Sequence, residues 1–150
     1  MIAVIQRVSS SSVTVEGEIV GKIAQGFTVL LGIADTDTIE DLEWVAKKVL
    51  GMRIFSDAEG KMNQDLKDID GNILLISQFT LLANTKKGNR PSFIEAARPE
   101  KAIPMYEKMI QVLSEGLGKT IAQGIFGADM KVDIQNDGPV TIILDSQNRG

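Results

Sequence analysis

Ser77, Gln78, Phe79 and Thr80 bring two hydroxyls and an amide together at the end of a strongly apolar run, Ile73-Leu74-Leu75-Ile76. Burying such groups without partners costs about 1–3 kcal/mol each, so their presence there needs a reason. If the strand continues through Leu81, alternation puts Ser77 and Phe79 on one face, Gln78 and Thr80 on the other. On pattern alone an ordinary strand end with satisfied hydroxyls is favoured over a site. A few residues on, Lys86-Lys87-Gly88-Asn89-Arg90-Pro91-Ser92-Phe93 is the densest local positive charge in a chain of net charge −4. Such a loop is usually solvated, yet Lys86, Lys87 and Arg90 could equally grip phosphate. Phe126-Gly127-Ala128-Asp129-Met130 sets a ring and a thioether around glycine; this can hold a base face, though most such residues are core. Asn136-Asp137-Gly138-Pro139-Val140-Thr141 reads as a hairpin turn centred on Asp-Gly, with Pro139 starting the returning strand.

The missing residue types narrow the chemistry. With no His and no Cys, a His-based triad, a thiol nucleophile and the usual zinc sites are excluded. Hydroxyls, carboxylates, Lys, backbone dipoles or groups of the substrate must do any chemistry. The acidic balance argues against a generic nucleic-acid binder, so contact with RNA would be local. Gly116-Leu117-Gly118-Lys119-Thr120 ends like a phosphate-binding loop. The required first Gly falls at Leu113, however, and the segment follows a helix, so a helix stop is the better reading. Glu40, Asp41 and Glu43 fit a solvated helix face.

The elements that must position these residues are legible in outline. At 150 residues the chain has the length of one domain. No apolar run approaches the roughly 20 residues of a membrane span. The first residues read as a strand rather than a signal peptide, and the lack of Cys gives no sign of an oxidising compartment. The expectation is a cytoplasmic protein. Val13–Val20 alternates across a Gly turn as a hairpin, and Phe27–Ile33 is a strand buried on both faces. Asp37 with Glu40 resembles a capping box ahead of a helix whose face is Ile39, Leu42, Val45, Ala46 and Val49, ending near Gly51. Met52–Phe55 is a short strand before the turn Asp57–Gly60, and Asn72–Leu81 is another strand. A second helix starts near Pro99, presents Ile103, Tyr106, Ile110 and Leu113, and stops at Gly116. Lys131–Gln135 and Val140–Leu144 are two more strands. The order β-β-β-α-β-β-α-β-β predicts a layered α/β domain over residues 1–150: two β layers, mixed or antiparallel, with helices on one side.

With these motifs in view, the chain resembles the D-aminoacyl-tRNA deacylases, also called D-tyrosyl-tRNA deacylases. The likeness runs from Val4-Ile5-Gln6-Arg7-Val8 through Gly60-Lys61-Met62-Asn63 to Leu144-Asp145. Its most specific signatures are Ser77-Gln78-Phe79-Thr80-Leu81 and Asn136-Asp137-Gly138-Pro139-Val140-Thr141. Lys87–Phe93 and Phe126–Met130 match in order and spacing, and Asn84 stands where the family pattern has Asp.

The resemblance implies a homodimer with its sites at the subunit interface, no cofactor or metal, and aminoacyl-tRNA as partner rather than DNA or a membrane. It implies that Gly138-Pro139 is cis and reaches beside Thr80 of the other subunit, carbonyls near the α-carbon of the bound amino acid. Ser77, Gln78, Phe79 and Thr80 then become catalytic residues, with backbone N–H groups near Phe79 and Thr80 holding the oxyanion and the ribose hydroxyl assisting water. Phe126 and Met130 become the adenine pocket. Two rivals remain open: a non-catalytic RNA-binding module, and an esterase with Thr80 as covalent nucleophile.

Overall fold

The computed structural model describes residues 1–149. In chain order the elements are β1 (Ile2–Val15), β2 (Glu18–Ile23), β3 (Gly26–Gly32), α1 (Ile39–Gly51), β4 (Phe55–Ser56) and β5 (Met62–Gln64). They continue with β6 (Asn72–Ser77), a short 3-10 turn (Phe79–Leu82), α2 (Pro99–Leu117), β7 (Ala122–Gln123) and β8 (Lys131–Asp145).

β1 is the spine of the sheet. One of its edges pairs antiparallel with β8 from Ile2 to Thr14. The other edge is shared: Ile2–Val8 pairs with β3, and Ser11–Val15 with β2. β3, β6 and β7 then run parallel to one another, so the sheet is mixed. The residues of β6 divide between two cores, as strand alternation requires. Ile73 and Leu75 join the large core formed with α1 and α2, while Leu74 and Ile76 join Val8, Val13 and Ile23. The second core exists because the sheet curls and brings β2 over β6 and β7. At Gly21 a Cβ would stand 2.7 Å from the Gln123 carbonyl oxygen, so only a bare backbone allows that approach. The expected α/β layering, with both helices against one face, is present.

Four local expectations are corrected. The strand through Leu81 stops at Ser77 and gives way to the 3-10 turn. The two strands flanking Asn136–Pro139 are one strand, because both halves pair antiparallel with the same strand, β1. Asn136 faces Val8 and Thr141 faces Gln6, so β8 advances five residues while β1 advances two. Asn136–Thr141 is therefore a bulge in a continuing strand, not a reversal of direction. On α2 the buried face is Ala102, Met105, Tyr106, Met109, Leu113 and Leu117, leaving Ile103 37% exposed. The helix runs on past Gly116 to Leu117, with Gly118 as a left-handed C-cap at φ 78°.

The last correction concerns the start of α1, where the cap is Thr38 rather than Asp37. The Asp41 carboxylate accepts both the N–H and the hydroxyl of Thr38 (2.9 and 3.2 Å). Burial pushes the Asp41 carboxyl up, but the Thr38 amide, neighbouring hydroxyls and the N-terminal ammonium outweigh it and leave it below the ordinary carboxylate value. Asp41 is therefore buried rather than on a solvated helix face, and so is Asp37, which accepts the Met1 ammonium (2.6 Å) and the Ala34 N–H (2.7 Å). Among the described residues no helix is long and apolar enough to cross a membrane.

Candidate active site

Where β6 ends, the Gln78 N–H makes a last bond to the Leu31 carbonyl of β3 (2.8 Å). The chain then tightens: the Leu81 N–H donates to the Gln78 carbonyl (3.2 Å) and the Ala83 N–H to the Thr80 carbonyl (3.1 Å). A helical turn begins with N–H groups that have no acceptor behind them. The amides of Phe79 and Thr80 accordingly donate to no protein acceptor among the described residues. The turn can sit so close to β3 because residue 32 is glycine; a Cβ there would stand 2.6 Å from Leu82 Cδ2. The Gln78 amide nitrogen donates to Thr80 Oγ1 (3.2 Å), orienting that hydroxyl.

This change of conformation reverses the expected separation of faces. Ser77, Gln78, Phe79 and Thr80 all line one pocket of about 210 Å³. Leu31, Ile33, Ala97, Ala102, Phe126, Gly127, Ala128 and Met130 complete the lining. None of these residues carries an ionisable side chain.

The far wall is built from behind. Tyr106 is buried on α2 and its hydroxyl donates to the Leu75 carbonyl (2.9 Å). Burial pushes that phenol up to about 12, so it remains a neutral donor. Its ring meets Phe126 edge-on, centroids 5.8 Å apart at 61°. Met130 packs on bare backbone at Gly124, where a Cβ would stand 2.6 Å from its Sδ. Phe126 and Met130, grouped by their motif, line the same pocket, whereas Ala97, Ala102 and the supporting Tyr106 give no such signal in the sequence. Pattern marks these as helix-start and core residues, and nothing in their type signals a pocket wall.

The remaining candidates lie outside this lining. Lys86, Lys87 and Arg90 are exposed on a loop closed at its foot by reciprocal 2.8 Å backbone bonds between Asn84 and Ser92. None of the three makes an ion pair among the described residues. Phe93, just past that foot, packs edge-on against Phe79 with centroids 5.2 Å apart at 77°.

Gly138 and Pro139 do not line the pocket of their own chain; they stand exposed on the β8 bulge, joined by a cis peptide bond. Two side chains hold the bulge. Arg7 Nε donates to the Asp137 carbonyl (3.0 Å) while its Nη1 donates to the Ile54 carbonyl (2.7 Å). Asn136 closes the base, accepting the Val140 N–H (3.2 Å) and donating to Thr141 Oγ1 (3.1 Å). Arg7 and Asn136 both lie within the family-like motifs, but their roles in holding the bulge are not legible from residue type or spacing.

The geometry thus defines a neutral, largely apolar pocket with two free backbone donors and two hydroxyls at one wall, suited to holding an oxyanion rather than abstracting a proton. The model of the D-Tyr-tRNA(Tyr) deacylase family matches residues 4–145, and the chain belongs to that family. It is similar to the D-aminoacyl-tRNA deacylases of Cytophaga hutchinsonii, at 57% identity, and Flavobacterium johnsoniae, at 56%. Both likenesses cover 99% of each chain. A solved structure of the c-Myc DNA Unwinding Element Binding Protein superposes with a TM-score of 0.90 at 44% identity, over 97% of this chain and 98% of that one.

Proposed function

We propose that the protein hydrolyses the ester of D-aminoacyl-tRNA, and of glycyl-tRNA, releasing the free amino acid and tRNA as a chiral proofreading step of translation in the cytoplasm. The observation that carries this reading is the neutral pocket with the free Phe79 and Thr80 amides at its wall. An aminoacyl ester is already activated, so it needs polarisation and a placed water more than a strong base. Water adds to the ester carbonyl carbon, and the resulting oxyanion lies against the two amides. The bond to the terminal ribose oxygen then breaks, and that oxygen leaves with a proton. The neighbouring ribose hydroxyl helps to place the water. The Thr80 hydroxyl, oriented by Gln78, positions water and substrate, with Ser77 beside it. Phe126 and Met130 take the adenine of the terminal nucleotide.

Selection is assigned to a second copy of the chain. Gly138 and Pro139 are exposed, held from behind, and absent from their own pocket, which favours their use in the partner's site across a two-fold interface. Their carbonyls would stand over the α-carbon, where a D-residue presents hydrogen and an L-residue presents carbon. The L-form is then rejected by overlap, whatever its side chain. Glycine carries hydrogen on both sides and passes.

The deciding experiment incubates the protein with D-tyrosyl-tRNA and L-tyrosyl-tRNA. Selective loss of the D-ester is expected. No hydrolysis of either ester would favour an RNA-binding module, and hydrolysis of unrelated esters a general esterase. Glycyl-tRNA is expected to be cut and L-alanyl-tRNA spared. Cutting both would refute rejection at the α-carbon. Sedimentation should give a dimer at micromolar concentration, and an active monomer would refute the shared site.

A further inference from the structure

We propose that Phe93 is a positioning residue for this reaction, setting the aim of the Phe79 and Thr80 amides through its edge contact with the Phe79 ring. The inference rests on the deacylase reading, which gives those amides an ester carbonyl to face.

Phe79 sits in an unusual place for an aromatic residue: it is 57% exposed, so the core does not hold it. The turn that carries it is four residues long and is anchored at its far end, where Leu82 is buried against Gly32, which leaves the Phe79 end the freer one. The contact that steadies its ring comes from outside the turn, from Phe93, with centroids 5.2 Å apart at 77°. Edge-to-face pairs have a preferred direction, so this contact constrains orientation as well as bulk.

Phe93 is itself tied on both sides. Before it, Ser92 exchanges two 2.8 Å backbone bonds with Asn84. After it, the Ala96 N–H donates to the Phe93 carbonyl (3.0 Å), Asp35 N–H to the Glu95 carbonyl (2.9 Å), and Ala97 N–H to the Ile33 carbonyl (2.9 Å). Ile33 and Ala97 line the pocket. Phe93 therefore refers the position of the Phe79 ring to the same backbone that carries Ile33 and Ala97 of the pocket lining. Hydrogen bonds weaken steeply with misalignment, so a small tilt of the turn weakens the hold on the oxyanion without emptying the pocket.

The test measures hydrolysis of D-tyrosyl-tRNA and of 3′-O-D-tyrosyl-adenosine by the wild type and by Phe93→Ala, Phe93→Leu and Phe93→Tyr. Losing an oxyanion donor outright costs 10²–10³ in rate, so misaiming it in the Ala and Leu variants should lower kcat about tenfold on both substrates. KM should stay within about twofold, and Phe93→Tyr, which keeps the ring, within about twofold of wild type in both constants. An unchanged kcat overturns the proposal. So does a loss confined to KM or to the tRNA substrate, which would make Phe93 an RNA contact. Phe93→Leu keeps apolar bulk and decides the matter if the Ala variant does not fold. Backbone order parameters give a reading that needs no activity: those of the Phe79 and Thr80 amides should fall in Phe93→Leu, and unchanged values overturn the proposal. A wild type that cuts no D-ester would count against the deacylase reading instead, with the order parameters still deciding the role of Phe93.

Discussion

The pocket wall at Ser77–Thr80 and the β8 bulge at Asn136–Thr141 are held in opposite ways. The wall grows out of β6, whose Ile73–Ile76 are buried on both faces, and its turn packs on the bare backbone of Gly32. Burial sets its shape, and no charged side chain takes part. The bulge projects from a strand without a buried residue between Lys131 and Asp145, and polar side chains hold it: Arg7 from β1 and Asn136 from its own base. On the proposed function, the part that must hold still against the ester is built into the core, and the part proposed to reach into a second copy is stiffened by hydrogen bonds at the surface. Damage to the first should slow every substrate; damage to the second should change which substrates are cut.

The largest expected effect belongs to the wall. Thr80→Ala should reduce hydrolysis of D- and glycyl-esters alike by roughly 10²–10³, the scale of a lost transition-state donor. The D-to-glycyl ratio should hold constant. A covalent acyl adduct on Thr80, seen by mass spectrometry, would replace water attack with a nucleophilic mechanism.

The bulge gives the next effect, and on a different quantity. Arg7 supplies hydrogen bonds from a charged donor, each worth about 1.5–3 kcal/mol, so Arg7→Ala should erode D-over-L selectivity by roughly 10–100-fold. Turnover of the D-ester should change much less. Asn136→Ala removes only neutral bonds, about 0.5–1.5 kcal/mol each, and should act in the same sense by roughly 2–10-fold. Equal losses on D- and L-esters in either variant would erase the distinction between the two regions.

How much of this could be read from the sequence divides along the same line. The buried strands, both helices and the α/β layering follow from apolar periodicity, which reports burial directly. The wall residues were legible as a group, yet their arrangement was not, because Ser77-Gln78-Phe79-Thr80 continues the strand pattern while the backbone leaves it. Gly32, distant in sequence, leaves room for the turn there, and periodicity cannot report such a neighbour. The bulge was misread for a related reason. Asp-Gly-Pro is sound turn chemistry, and only pairing of both flanks with β1 distinguishes a bulge from a hairpin. Arg7 lies in a matching motif, but its role is not legible there, since its partners are the carbonyls of Asp137 and Ile54, set by tertiary structure. The family resemblance supplied the roles that pattern could not.

The smallest effect on the chemical step should come from Lys86, Lys87 and Arg90, which lie outside both regions. They are exposed and without ion-pair partners among the described residues, so phosphate would not have to displace a carboxylate from them. In a chain of net charge −4 they are the cations proposed to attract tRNA locally. Each phosphate contact contributes about 0.7–0.9 to the slope of log affinity against log salt, so three cations predict a shallow slope of roughly 2–3. Replacing all three with Ala should raise KM for D-aminoacyl-tRNA, flatten that slope, and lower kcat less than it raises KM. Hydrolysis of D-tyrosyl-adenosine, which has no tRNA body, should not respond to the replacement. If the slope is steep, or persists after the triple replacement, tRNA docks on another surface, and the loop's closeness to the Phe79 wall serves the pocket alone.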